Sequence, residues 1–180
     1  DSDQIDLFLR RSFDDGRSFR DVQVVTTKND WVSGNPVPVQ DRTTGTIWLL
    51  FCRNQREKIS TLEVSRSVWV TSSNDDGATW NEPEEITASV KPSDWAAWYA
   101  TGPCHGIQMQ NGRIVIPANH REVKQNAEDE DDHDLSHIIY SDDHGTSWKL
   151  GASADTHTNE STVLETNDGW LYINSRNQYC

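Results

Sequence analysis

Along the chain, apolar residues come in runs of four to six, dominated by β-branched and aromatic types: IDLFL (5–9), PVPV (36–39), TIWLLF (46–51), SVWVT (67–71), RIVIP (113–117), HIIY (137–140), STVLE (161–165) and WLYIN (170–174). Such runs are too short for ordinary helices and carry the residues that fit a pleated, half-buried surface. Between them stand DDG, TTG, NG and NDG, which tolerate tight turns and positive φ. No long window repeats at the helical period. The pattern predicts an all-β chain of antiparallel strands.

Three of the turns are variants of one sequence: SFDDGRSF (12–19), SNDDGATW (73–80) and SDDHGTSW (141–148). Each reads Ser, any, Asp, any, Gly, any, Ser or Thr, aromatic. Their first serines are 61 and 68 residues apart, the length of a four-stranded unit with variable loops. Around the second box the order is NPVPV, TIWLLFC, SVWVTSS, box, NEPEEIT; around the third it is GIQM, RIVIPA, SHIIYS, box, KLGA. Each box therefore falls between the third and fourth strand of its unit. Ser73 and Asp75 can bond to backbone N–H groups of the turn, Gly77 supplies a backbone conformation that a side chain would hinder, and Trp80 can fold back on neighbouring strands. The box reads as a hairpin staple, placed away from any active centre. A calcium loop needs acidic ligands at alternating positions and a closing glutamate, which no box supplies.

Radially repeated four-stranded sheets are the propeller solution to exposed strand edges. On this reading the 180 residues hold the end of a first blade, two whole blades and the start of a fourth, too few to close a ring. Unit one begins at its third strand, because DLFLRRS runs straight into the first box, and unit four stops after WLYINSRN.

Composition narrows the partners. Acidic residues number 29 against 16 basic, a net charge of -13, which repels nucleic acid and anionic membrane faces. No apolar run approaches the roughly 20 residues of a membrane helix, and DSDQIDLFLRR lacks the basic then apolar pattern of a secretion signal. Cys52, Cys104 and Cys180 show no metal-type spacing, and no metal or other cofactor is expected. The run EDEDDHDLSH (128–137) reads as a solvated, exposed connection rather than a metal site. Eight tryptophans suit a β core or the aromatic walls of a sugar site.

The boxes, together with SGNPVPVQDRTTGTIWLLFCRN (33–54), ATGPCHGIQMQNGRIVIPANH (100–120) and NESTVLETNDGWLYINSRN (159–177), resemble the exo-α-sialidases (neuraminidases) of the bacterial and animal cytosolic type, and the resemblance runs over essentially the whole chain. It implies a six-bladed β-propeller of four-stranded antiparallel blades. It also implies hydrolysis of terminal sialic acid from glycoconjugates with retention of configuration, by a tyrosine nucleophile in place of the usual carboxylate, which would repel the substrate's own.

The resemblance carries over residue by residue. Glu160 in NESTV matches the glutamate that serves as base to the nucleophile, and Arg176 in NSRN matches the second of three arginines that clamp the sugar acid through a planar fork. Taken singly, Glu160 reads as a solvated strand-end carboxylate. Asp1, eleven residues before Ser12, matches the acid/base aspartate of a flexible loop, with Asp3 as the near alternative; either reads otherwise as a turn residue. Asn35 in SGNPVP matches the contact to the 4-hydroxyl and N-acetyl side, and otherwise opens a turn before Pro36. Gly34 stands where relatives often carry a bulky apolar residue. Trp98 and Tyr99, with Trp95, suit either an amphipathic wall for the glycerol or N-acetyl group or packing on the rim. GPCHG places Cys104 where relatives carry glycine, and His105 reads as a site residue or, by preference, as a satisfied buried imidazole. NES at 159–161 is formally a glycosylation sequon, expected unmodified because a glycan would block the funnel.

The first clamping arginine would precede Asp1, and the third arginine and the nucleophile would follow Cys180; none of Tyr99, Tyr140, Tyr172 and Tyr179 is in the nucleophile's register. The expectation is a sialidase fragment inactive by itself, acting within its parent on sialylated glycoconjugates. The competing reading is a noncatalytic propeller that binds a glycan or protein, which would have little reason to keep Glu160 and Arg176 in register. Acidic composition suits a secreted or lysosomal protein as well as a cytosolic one, and the expectation is a secreted or lysosomal setting.

Overall fold

The computed structural model describes residues 5–55, 66–95, 98–122 and 133–177. Its first sheet pairs β1 (Leu7–Leu9) with β2 (Gln23–Thr26). A second, four-stranded sheet runs in chain order through β3 (Trp31–Gln40), β4 (Ile47–Gln55), β5 (Ser67–Ser73) and β6 (Glu84–Glu85). In the third sheet, β7 (Tyr99–Thr101) and β8 (Ile107–Gln108) both pair with β9 (Ile114–Glu122), followed by β10 (His133–Ser141) and β11 (Lys149–Thr156). The last sheet pairs β12 (Thr158–Glu165) with β13 (Leu171–Asn177). Every pairing is antiparallel, and the described sheets form no closed ring. The helical element α1 is a single turn, Thr87–Val90.

Most strands extend beyond the apolar runs that signal them. β3 continues back through Gly34 and Asn35 because its register shifts between Gly34 and Val37, so that Asn35 and Pro36 together oppose Phe51. Such a bulge accommodates the positive φ of 55° at Asn35. β4 is apolar on both faces. Leu50 and Cys52 join Val37, Val39, Val68 and Val70 against Tyr99, Ile114, Ile116, Ala118 and Ile139 of the third sheet. Leu49 and Phe51 turn the other way, to Leu7 of the first. Each such fully buried aliphatic contributes about 1.5–3 kcal/mol, so the cores between sheets hold the layers in order.

The three boxes lie between β1 and β2, β5 and β6, and β10 and β11, and their geometry is repeated. Ser73 Oγ donates to Asp75 Oδ1 (2.8 Å) and accepts from the Gly77 N–H (2.9 Å). Asp75 Oδ1 accepts from the Thr79 N–H (2.8 Å) and Oδ2 from the Thr79 hydroxyl (2.6 Å). The same four bonds recur at Ser12, Asp14, Gly16 and Ser18 and at Ser141, Asp143, Gly145 and Ser147. Hydrogen bonds from Ser18, Thr79 and Ser147 hold Asp14, Asp75 and Asp143 each at about 2. At Gly145 φ is 85°, and an added Cβ would stand 2.2 Å from the Trp48 ring, so glycine is required twice over.

Candidate active site

β12 opens with a bulge. Thr158 pairs with Asn177 and Ser161 with Ser175, which leaves Asn159 and Glu160 opposite the single residue Arg176. The guanidinium meets both: Arg176 Nη1 lies 2.8 Å from Glu160 Oε2, and Arg176 Nε donates to Asn159 Oδ1 at 3.0 Å. Asn159 Oδ1 also accepts from the Glu160 backbone N–H at 2.8 Å. The Glu160 and Arg176 side chains are 44% and 60% exposed, where an ion pair contributes about 0–1 kcal/mol. Stability is a poor reason for such a pair; open donors and a carboxylate side by side suit an anionic ligand that needs a base close by. Asn159 is buried, and its amide oxygen takes both of these bonds.

Asn35 belongs to a second group. Its Oδ1 accepts from Arg66 Nη1 at 3.4 Å, and its backbone carbonyl accepts from the Thr101 hydroxyl at 2.5 Å, which fixes the β3 bulge to the third sheet. Arg66 also lies over the Trp98 ring, 3.9 Å from its centroid. Burial draws the Arg66 pKa down, and no carboxylate pairs with it among the described residues. Gly34 faces open space where a Cβ would stand. No hydrogen bond or ion pair joins this group to Glu160 and Arg176 among the described residues.

Trp98 is 37% exposed and available to a ligand; Tyr99 is not. Tyr99 is fully buried, and its hydroxyl donates to the Val90 carbonyl at 3.3 Å. That corrects the expected two-residue aromatic wall. The same hydroxyl sits 2.8 Å from His137 Nε2. His137 Nδ1 in turn shares a hydrogen bond with His120 Nδ1, 3.0 Å away. Trp95 stacks on His120, with centroids 3.4 Å apart and planes 6° from parallel. Burial, with the neighbouring His120, pushes His137 down to about 3, and burial lowers His120 too. His137 is thus a core residue of β10, not part of an exposed connection, whereas His105 is exposed rather than buried.

Asp1 and its alternative Asp3 lie outside the described residues, as does Tyr179. Two participants escape the sequence argument. Arg66, a lone arginine before the apolar strand SVWV, gives only a weak local signal, and Asn159 gives only the sequon. No group of three or more His, Cys, Asp or Glu able to hold a metal occurs among the described residues, and no helix there is long and apolar enough to cross a membrane.

Comparison with known proteins gives concordant matches. The family described as BNR repeat-like domain matches residues 1–180. The chain is 33% identical to Sialidase-4 of Mus musculus over 158 residues, covering 80% of the chain and 32% of that protein. It is 32% identical to an exo-alpha-sialidase of Aspergillus fumigatus over 164 residues, covering 79% and 35%. Among solved structures it is similar to a Hadza microbial sialidase, with TM-score 0.82 and 27% identity over 96% of the chain and 36% of the other. The chain thus spans about a third of the length of the curated relatives it matches.

Proposed function

Because the chain belongs to the sialidase family, through its BNR repeat-like domain, we propose that it forms part of the catalytic funnel of an exo-α-sialidase. In this reading it contributes the end of a first blade, two whole blades and the start of a fourth to a six-bladed propeller. The substrates are glycoproteins, glycolipids or oligosaccharides that end in sialic acid, cleaved with retention of configuration.

The observation that carries the reading is the Glu160–Arg176 pair at 2.8 Å. Arg176 takes the substrate carboxylate with the N–H donors that Glu160 and Asn159 leave free. Glu160, beside it, serves as base to a tyrosine nucleophile. A nucleophile that is neutral before attack can approach an anionic sugar that a carboxylate would repel, and the base removes its proton as the bond to the anomeric carbon forms. Asp1 donates a proton to the leaving oxygen, then takes one from the water that releases the sugar. Asn35 contacts the 4-hydroxyl and N-acetyl side, and Trp98 walls the sugar. The reading requires a tyrosine nucleophile and two more arginines that these 180 residues do not supply in register.

The test is cleavage of a fluorogenic α-sialoside by the full-length protein against its Glu160→Gln variant. Loss of turnover by about 100-fold or more in a folded variant supports the assignment, the scale of a removed general base. A folded wild type that binds sialosides without cleaving them supports the noncatalytic binding propeller instead.

A further inference from the structure

We infer that Asn159 is a positioning residue that dictates how Arg176 presents itself to a substrate carboxylate, an inference that rests on the reading of Arg176 as a carboxylate clamp. Asn159 is only 4% exposed, and its place is set from the neighbouring sheet. Ser136 Oγ donates to its backbone carbonyl at 2.6 Å, and the Ser136 N–H donates to Thr158 Oγ1 at 3.0 Å. Its single amide oxygen then accepts both the Glu160 N–H and Arg176 Nε. The bulge makes this possible by setting two residues against one.

A guanidinium can grip a carboxylate side-on, through Nε and one terminal nitrogen, or end-on, through both terminal nitrogens. Here Nε is committed to Asn159, and Nη1 keeps one N–H beyond its contact with Glu160. The end-on edge, Nη1 with Nη2, is what remains for the ligand. Arg176 is otherwise a long, largely exposed side chain with much rotamer freedom to lose on binding. Asn159 removes part of that freedom in advance.

The test measures hydrolysis of an α-sialoside by the full-length protein carrying Asn159→Ala or Asn159→Asp, each alone and combined with Arg176→Lys, with folding checked by circular dichroism. Asn159→Ala is expected to raise KM about tenfold while kcat changes less, as for lost ground-state binding. Asn159→Asp keeps the acceptor but sets a further carboxylate beside the anionic sugar, so a rise in its KM should be relieved by added salt, whereas that of Asn159→Ala should not. In the Arg176→Lys background, which has no Nε to hold, Asn159→Ala should add less than about twofold. An unchanged KM in folded Asn159→Ala, or an equal effect in both backgrounds, would overturn the inference while leaving the sialidase reading intact. If Asn159→Ala does not fold, Asn159→Ser, whose shorter side chain draws the acceptor back from Nε, takes its place in both backgrounds. A wild type with neither turnover nor sialoside binding overturns both.

Discussion

Asp41 ties the second sheet to the third through one carboxylate, and its removal gives a prediction with a magnitude and a pH signature. It follows β3 and is fully buried. Its Oδ1 accepts from the Thr43 N–H (2.8 Å) and Gln108 Nε2 (2.7 Å), and its Oδ2 from His144 Nδ1 (2.8 Å). Gln108 belongs to β8 and His144 to the third box, so the bonds cross between sheets. Burial by itself raises the Asp41 pKa, but the hydrogen bonds from Thr43, His144, Gln108 and Thr44 outweigh it and hold the group at about 2. A fall from 3.8 to about 2 corresponds to about 2 kcal/mol favouring the folded, ionised form. Asn at this position keeps one acceptor but turns an NH2 toward His144, so Asp41→Asn should cost about 2 kcal/mol at pH 7. For a chain of this size that lowers Tm by about 4–8 °C. Because the folded pKa is depressed, the stabilisation is complete above the unfolded value of 3.8 and is lost as pH falls through 2. The gap between wild type and variant should therefore shrink to about 1 kcal/mol near pH 3. Urea unfolding of both proteins, followed by circular dichroism at pH 7, 5 and 3, reads the gap directly. A gap of the same size at all three values, or none at pH 7, would refute the assignment of this lock to the ionised carboxylate.

Two further outcomes test the buried polar cluster against Trp95. Burial lowers His137 to about 3 from an ordinary 6.5, so the unfolded chain takes the proton first, and stability present above 6.5 is lost as pH falls toward 3. Its contribution between pH 7 and pH 5 is a loss of about 2 kcal/mol, and His137→Leu should flatten the stability profile there; an unchanged slope would place the proton elsewhere. Tyr99→Phe removes the partner of His137 Nε2 and of the Val90 carbonyl, at a cost of about 1–3 kcal/mol. It should leave the KM for a sialoside unchanged, whereas a Tyr99 that walls the sugar would show a raised KM.

The elements legible in the sequence were those whose signals are local. The three boxes carry their serine, aspartate and glycine within five positions, so their bonding follows from turn chemistry without tertiary knowledge. The apolar runs gave the strands, but their ends depended on pairing: the Asn35–Pro36 step reads as a turn and is instead a bulge inside β3. Trp98 and Tyr99 look alike as wall residues. They part at the start of β7: Trp98 precedes the strand and stays exposed, whereas Tyr99 opens it and is buried in the core. His137 stands at the end of an acidic run that suggests solvent, yet pairing of β10 with β9 carries it between Tyr99 and His120, a long-range outcome that no local pattern displays. Glu160 and Arg176 were reached through resemblance, and their meeting depends on the β12 bulge. Asn159 was read only as a sequon, because its work is done by one buried oxygen whose partners lie on two strands.

The most direct measurement of the central claim is a crystal structure of the full-length protein with sialic acid bound. The account predicts the sugar carboxylate within hydrogen-bonding distance of Arg176 Nη1 and Nη2, Glu160 alongside, and the N-acetyl side toward Asn35. A sialic acid bound elsewhere, or seated here with its carboxylate turned away from Arg176, would contradict it.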